Sequence, residues 1–95
     1  MATKNKPGAY DCYTNAEPDE PMFVLLARDE LAPALVRIWA MVRDGAPLDM
    51  VESQLSIARS IAAAKPPMDQ PKFEEAIACS HDMDRWQRTR NSIDV

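Results

Sequence analysis

His81 is the only histidine of this chain, so proton transfer near neutral pH falls to it or to a shifted carboxylate. Cys79 lies two positions earlier, a spacing that turns two helical side chains to different sides. The two make no nucleophile–base pair. Cys79, His81, Asp82 and Asp84 also lack a converging i, i+4 pair of ligands, so neither a metal nor any other cofactor is expected. Cys79 reads as a small core residue and His81 as a surface one. Gly8 and Gly45 are the only glycines, which leaves no phosphate-cradling loop, and no GxSxG elbow occurs. Glu17, Asp19 and Glu20 are near one another but sit in a proline turn without neighbouring oxyanion donors. Enzymatic activity is not expected.

Binding chemistry is better supplied. Arg28 and Arg37 interrupt long apolar stretches, where an unpaired charge is costly. Either they pair with acids of Glu17-Pro18-Asp19-Glu20-Pro21, or they meet an anionic ligand. A guanidinium suits phosphate because its planar fork donates two parallel hydrogen bonds. Tyr10, Tyr13 and Trp39 are aromatic rings that could stack on the base of such a ligand. Arg28 also precedes a helix start, where free amides favour anions, although Asp29 could occupy those amides as a cap. His81, Arg85 and Arg88 line another flank beside Trp86, either an anion or base-stacking surface or, the reading preferred, a solvated basic flank with Asp84 able to pair with Arg88.

Three helices must position these residues. The first is expected over about 29–43, with Asp29 as N-cap, Pro33 tolerated near the start and Gly45 as left-handed cap. The second, about 49–64, opens on an Asp49/Glu52 capping box and stops before Pro66-Pro67. Its apolar stripe is Leu48, Val51, Leu55, Ala58, Ile61 and Ala62. The third, about 69–90, is capped by Asp69, with Met68 and Phe73 at staple positions. Phe73, Ala76, Ile77, Ser80 and Met83 share its apolar face, flanked by Cys79 and Trp86. Residues 10–27 form an extended arm, and 1–9 and 91–95 read as flexible tails.

Arg37 is the only charge between Leu31 and Val42. Leu31, Leu35, Ile38 and Val42 read as a core stripe, with Ala32, Val36 and Ala40 on the opposite side. A helix apolar nearly all round needs cover on more than one face. The reading adopted is a mainly α, three-helix bundle with an extended N-terminal arm, assembled as a homo-oligomer. A monomer whose arm covers the far face is the alternative.

The 95 residues, 46% hydrophobic and 27% charged, describe a single globular domain over 10–90 and exclude a wholly disordered chain. Net charge is −4, with no dense Lys/Arg cluster, so duplex nucleic acid is not an expected partner. No apolar run approaches a membrane span. The opening MATKNKPGAYD has no apolar stretch behind its basic residues, so a secretory signal is not expected. Cys12 and Cys79 read as free thiols of a reducing cytoplasm.

Tyr10-Asp-Cys-Tyr13, Asn15-Ala16, Asp19-Glu-Pro-Met-Phe-Val24, Ala27-Arg-Asp29, Ala32-Pro33 and Val36-Arg-Ile-Trp-Ala40 resemble a family of small uncharacterised tailed-bacteriophage proteins. The similarity resumes at Ala76, Cys79, Met83 and Trp86. The resemblance implies a phage accessory protein acting in the cytoplasm of the infected bacterial host. Two function classes follow by analogy. One is evasion of host defence by sequestering a nucleotide-type anionic ligand, with Arg28, Arg37, Tyr10, Tyr13 and Trp39 as its site. The other is an inhibitor or adaptor docking on a host protein, or a phage structural or assembly factor.

Overall fold

The computed structural model describes residues 3–8 and 12–93. The chain is mainly helical, and no strand occurs among the described residues. Its helices are α1 (Cys12–Asn15), α2 (Ala32–Asp44), α3 (Leu48–Ala63) and α4 (Gln70–Ile93). The stretch expected to form one domain divides into two compact units. One is Val24–Met68, holding α2 and α3; the other joins Met1–Phe23 to Asp69–Val95 and holds α1 and α4.

Proline decides where α2 begins. A helix capped at Asp29 would put Pro33 where an amide must close the first helical bond, and proline has none to give. Instead α2 starts at Ala32, and Pro33 falls in the first turn, where its missing donor costs nothing. Asp29 works in the preceding turn. Its carboxylate accepts from the Leu31 amide at 2.9 Å and its carbonyl from the Ala32 amide at 3.0 Å. The other end follows the sequence reading. Gly45 adopts φ 74°, ψ 27°, and the Gly45 and Ala46 amides close on Val42 and Met41 at 3.2 and 3.0 Å.

Only Gly45, Ala46 and Pro47 separate α2 from α3, so the two pack as a helical hairpin. The more buried positions are Ala34, Ile38 and Met41 on α2, and Val51, Gln54, Ala58 and Ile61 on α3. Both sets follow three- and four-residue steps, the spacing of a helix–helix seam. Of the expected core stripes, Leu35, Val42, Leu48 and Leu55 are instead exposed, while Ala32 is buried. When both sides of a helix are apolar, periodicity alone does not choose the inward one. Pro47 occupies the N-cap of α3, and Asp49 sits inside the first turn, its carboxylate accepting from the Met50 amide at 3.0 Å. A capping box is thereby replaced by an acid favourable to the dipole. Lys65 and Glu30 pair at 3.2 Å within this unit.

In the other unit, the expected extended arm contains a helical turn, α1, closed by the Ala16 amide on the Cys12 carbonyl at 2.9 Å. A short extended segment without a partner strand is marginal on its own. The chain then reverses at Glu17–Glu20, where the Glu20 amide reaches the Glu17 carbonyl at 3.1 Å. From there residues 20–23 continue without regular structure as a strap on α4. Pro71 takes the second position of α4, again within a first turn. No glycine or proline interrupts the helix after it, and α4 runs past the expected end at 90 to Ile93.

Candidate functional site

The face of α4 under the strap carries Ala76, Cys79, Met83 and Trp86, each partly buried. Phe73 and Ile77, expected to lead the core face, are exposed. Two contacts fix the direction of the strap. The Cys79 thiol donates to the Met22 carbonyl at 3.5 Å, and the Arg90 guanidinium donates to the Glu17 carboxylate at 2.6 Å. Chain positions rise from 17 to 22 as α4 positions fall from 90 to 79, so strap and helix run antiparallel. Cys79 and Arg90 lie about 16 Å apart along the axis, eleven residues at 1.5 Å each. A five-residue stretch that includes a turn is shorter, and the long side chains of Glu17 and Arg90 span the remainder.

Two of the three acids in the turn that sequence reading offered to Arg28 and Arg37 have partners within their own unit. Glu17 is committed to Arg90, and the Glu20 carboxylate accepts from the Glu17 amide at 3.0 Å. Asp19 makes neither an ion pair nor a side-chain hydrogen bond among the described residues. Arg90 also lies over the Trp86 ring, 5.0 Å from its centroid, in cation–π geometry. Arg85 pairs with Asp82 at 3.6 Å; the expected Asp84–Arg88 pair does not form among the described residues.

Arg28 occupies the turn before α2 and is exposed, and Arg37 is exposed midway along α2. Neither forms an ion pair among the described residues. The start of α2 offers few amides to an anion beside Arg28, because Leu31 and Ala32 donate to Asp29 and Pro33 has no donor. Trp39 is 67% exposed, and two positions along a helix set it about 200° from Arg37. Within the hairpin, Arg37 and Trp39 thus face opposite sides. Tyr13, 80% exposed, lies on α1 in the other unit. Tyr10 lies outside the described residues.

Sequence reasoning missed two features. One is the make-up of the second apolar face expected on α2: Leu35, Val36, Trp39 and Val42 are exposed on the side away from the seam with α3. The other is the Glu17–Arg90–Trp86 cluster. Its signal was present in the i, i+4 spacing of Trp86 and Arg90, but the third member lies 73 positions away. No helix of the described residues is long and apolar enough to cross a membrane. No protein-family model, curated protein or solved structure matches the chain.

Proposed function

We propose that this protein is a non-enzymatic phage accessory protein that sequesters a small anionic ligand of nucleotide type in the host cytoplasm, so countering host defence. The observation that carries this reading is the state of Arg28 and Arg37. Both interrupt apolar stretches, both are exposed, and neither is neutralised by an acid among the described residues. The rival account pairs Arg37 with an acid of the Glu17–Glu20 turn and leaves Arg28 solvated. Glu17 is taken by Arg90 and Glu20 by a backbone amide, which weakens that account.

Assembly belongs to the same proposal, as does the three-helix bundle with its N-terminal arm. Arg37 and Trp39 diverge on α2, so a ligand that meets both a guanidinium and that ring lies between two copies of the chain. The exposed stripe Leu35, Val36, Trp39 and Val42 supplies apolar surface for such a homo-oligomer. The same stripe favours a second reading, docking on a host protein.

A thermal-shift screen against linear and cyclic nucleotides separates the two. A sequestering protein is stabilised by its ligand through mass action on the native state. Arg28→Ala and Arg37→Ala should abolish that shift while leaving helical content and oligomer mass intact. No shift with any nucleotide, together with recovery of a defined host protein, overturns the ligand reading in favour of the second.

A further inference from the structure

We propose that the groove between the strap and α4 is a receptor for one cationic side chain, an arginine or lysine presented by a basic segment of a partner protein. The groove holds about 380 Å³, within the range of about 300–1,000 Å³ typical of binding pockets. Asp19 and Pro21 line it from the strap, and Asp82, Arg85, Trp86 and Thr89 from α4.

The molecule already binds one guanidinium in this manner. Beside the groove, the chain's own Arg90 lies over Trp86 at 5.0 Å and is paired with Glu17 at 2.6 Å. A smaller cavity of about 160 Å³ is lined by Glu17, Trp86, Thr89 and Arg90. The larger groove repeats those ingredients, an indole wall from Trp86 and a strap acid from Asp19, without an internal cation on that acid.

Charge arithmetic points the same way. Asp19 and Asp82 contribute two negative charges and Arg85 one positive, leaving one negative charge for an incoming cation. Arg85 does not close the site. Its pair with Asp82 is long at 3.6 Å, and both side chains are more than half exposed, a class of ion pair that is worth little and exchanges readily. A partner's guanidinium or ammonium would rest against the indole and meet Asp19, with Asp82 shared between it and Arg85. An extended basic segment suits the groove because its single side chain can lie along the open surface between Asp19, Asp82 and Trp86.

The test is a titration of the isotope-labelled full chain with the capped tripeptide Ac-Gly-Arg-Gly-NH₂ and with its citrulline counterpart, which keeps the shape and removes the charge. The arginine peptide alone should shift the Trp86 indole N–H and the Asp19 amide. Asp19→Asn combined with Asp82→Asn should weaken binding about tenfold, the usual effect of losing hydrogen bonds to a charged group. Glu74→Gln with Glu75→Gln removes the same charge elsewhere on α4 and should leave binding unchanged. Asp19→Asn alone, at an exposed acid without a partner, repeats the comparison if the double variant loses helical signal.

Equal response to citrulline, equal loss in the Glu74/Glu75 variant, or no shift up to about 10 mM peptide overturns the proposal. A fall in oligomer mass on Asp19→Asn would assign the groove to a second copy and overturn the partner assignment. Arg28 and Arg37 take no part in this site, so its failure leaves the anionic-ligand reading standing.

Discussion

Glu17 and Arg90, 73 positions apart in sequence, meet at 2.6 Å and tie the N-terminal turn to the last turns of α4. Both side chains are about half exposed, at 51% and 52%. Solvent therefore screens the pair, and its direct coupling should be small, about 0.2–1 kcal/mol in a double-mutant cycle. The larger effect is local. Glu17→Ala should speed amide exchange at the strap and over the final turn of α4 while leaving α2 and α3 unchanged. Uniform protection loss across the chain would contradict this placement.

Among the described residues, Gly45 is the one with a positive φ. At φ +74° an alanine is strained, although its Cβ would meet nothing within 4 Å. Gly45→Ala should therefore cost about 1–2 kcal/mol through the backbone alone, read from urea denaturation. Gly45→Asn should cost less, since asparagine tolerates the left-handed region. An alanine variant as stable as the wild type would show that the α2 cap is not held in this form.

Gln54 places a buried carbonyl oxygen, Oε1, in the seam between α2 and α3, without a hydrogen-bond partner among the described residues. Such a group carries its desolvation penalty with no return. Gln54→Leu, similar in size and apolar, should stabilise the protein by about 1 kcal/mol in a thermal or denaturant melt. Destabilisation by a similar amount would mean that the amide is satisfied in solution.

The α2 stripe makes an independent prediction about assembly. Val36→Glu and Val42→Glu place charges on an exposed face and leave Ala34, Ile38 and Met41 of the seam untouched. Both variants should retain helical circular dichroism and shift the light-scattering mass toward the monomer. Unchanged mass in both would remove α2 from the interface.

Local chemistry was the legible part of the fold. Gly45 ended α2 as read, and Pro66-Pro67 followed the end of α3, because each acts within a turn of itself. Face assignment was not legible. Val36 and Leu35 on α2 are as apolar as Ile38 and Met41, so only the packing against α3 distinguishes them. Cys79, Met83 and Trp86 lie beside a strap from far upstream, which no window around α4 contains. The same distance hides the Glu17–Arg90 pair, and the acids of that turn stand much nearer in sequence to Arg28 and Arg37. For the candidate ligand residues, sequence gave their exposure-prone chemistry but not their directions on α2.

The central claim is the capture of a small anionic ligand through Arg28 and Arg37. Isothermal titration of the full chain with a panel of linear and cyclic nucleotides, with Arg28→Ala and Arg37→Ala alongside, reads this capture. At least one nucleotide should bind saturably, with loss of about tenfold or more in affinity for each variant at unchanged light-scattering mass. Absence of binding across the panel, or equal affinity in wild type and both variants, would contradict it.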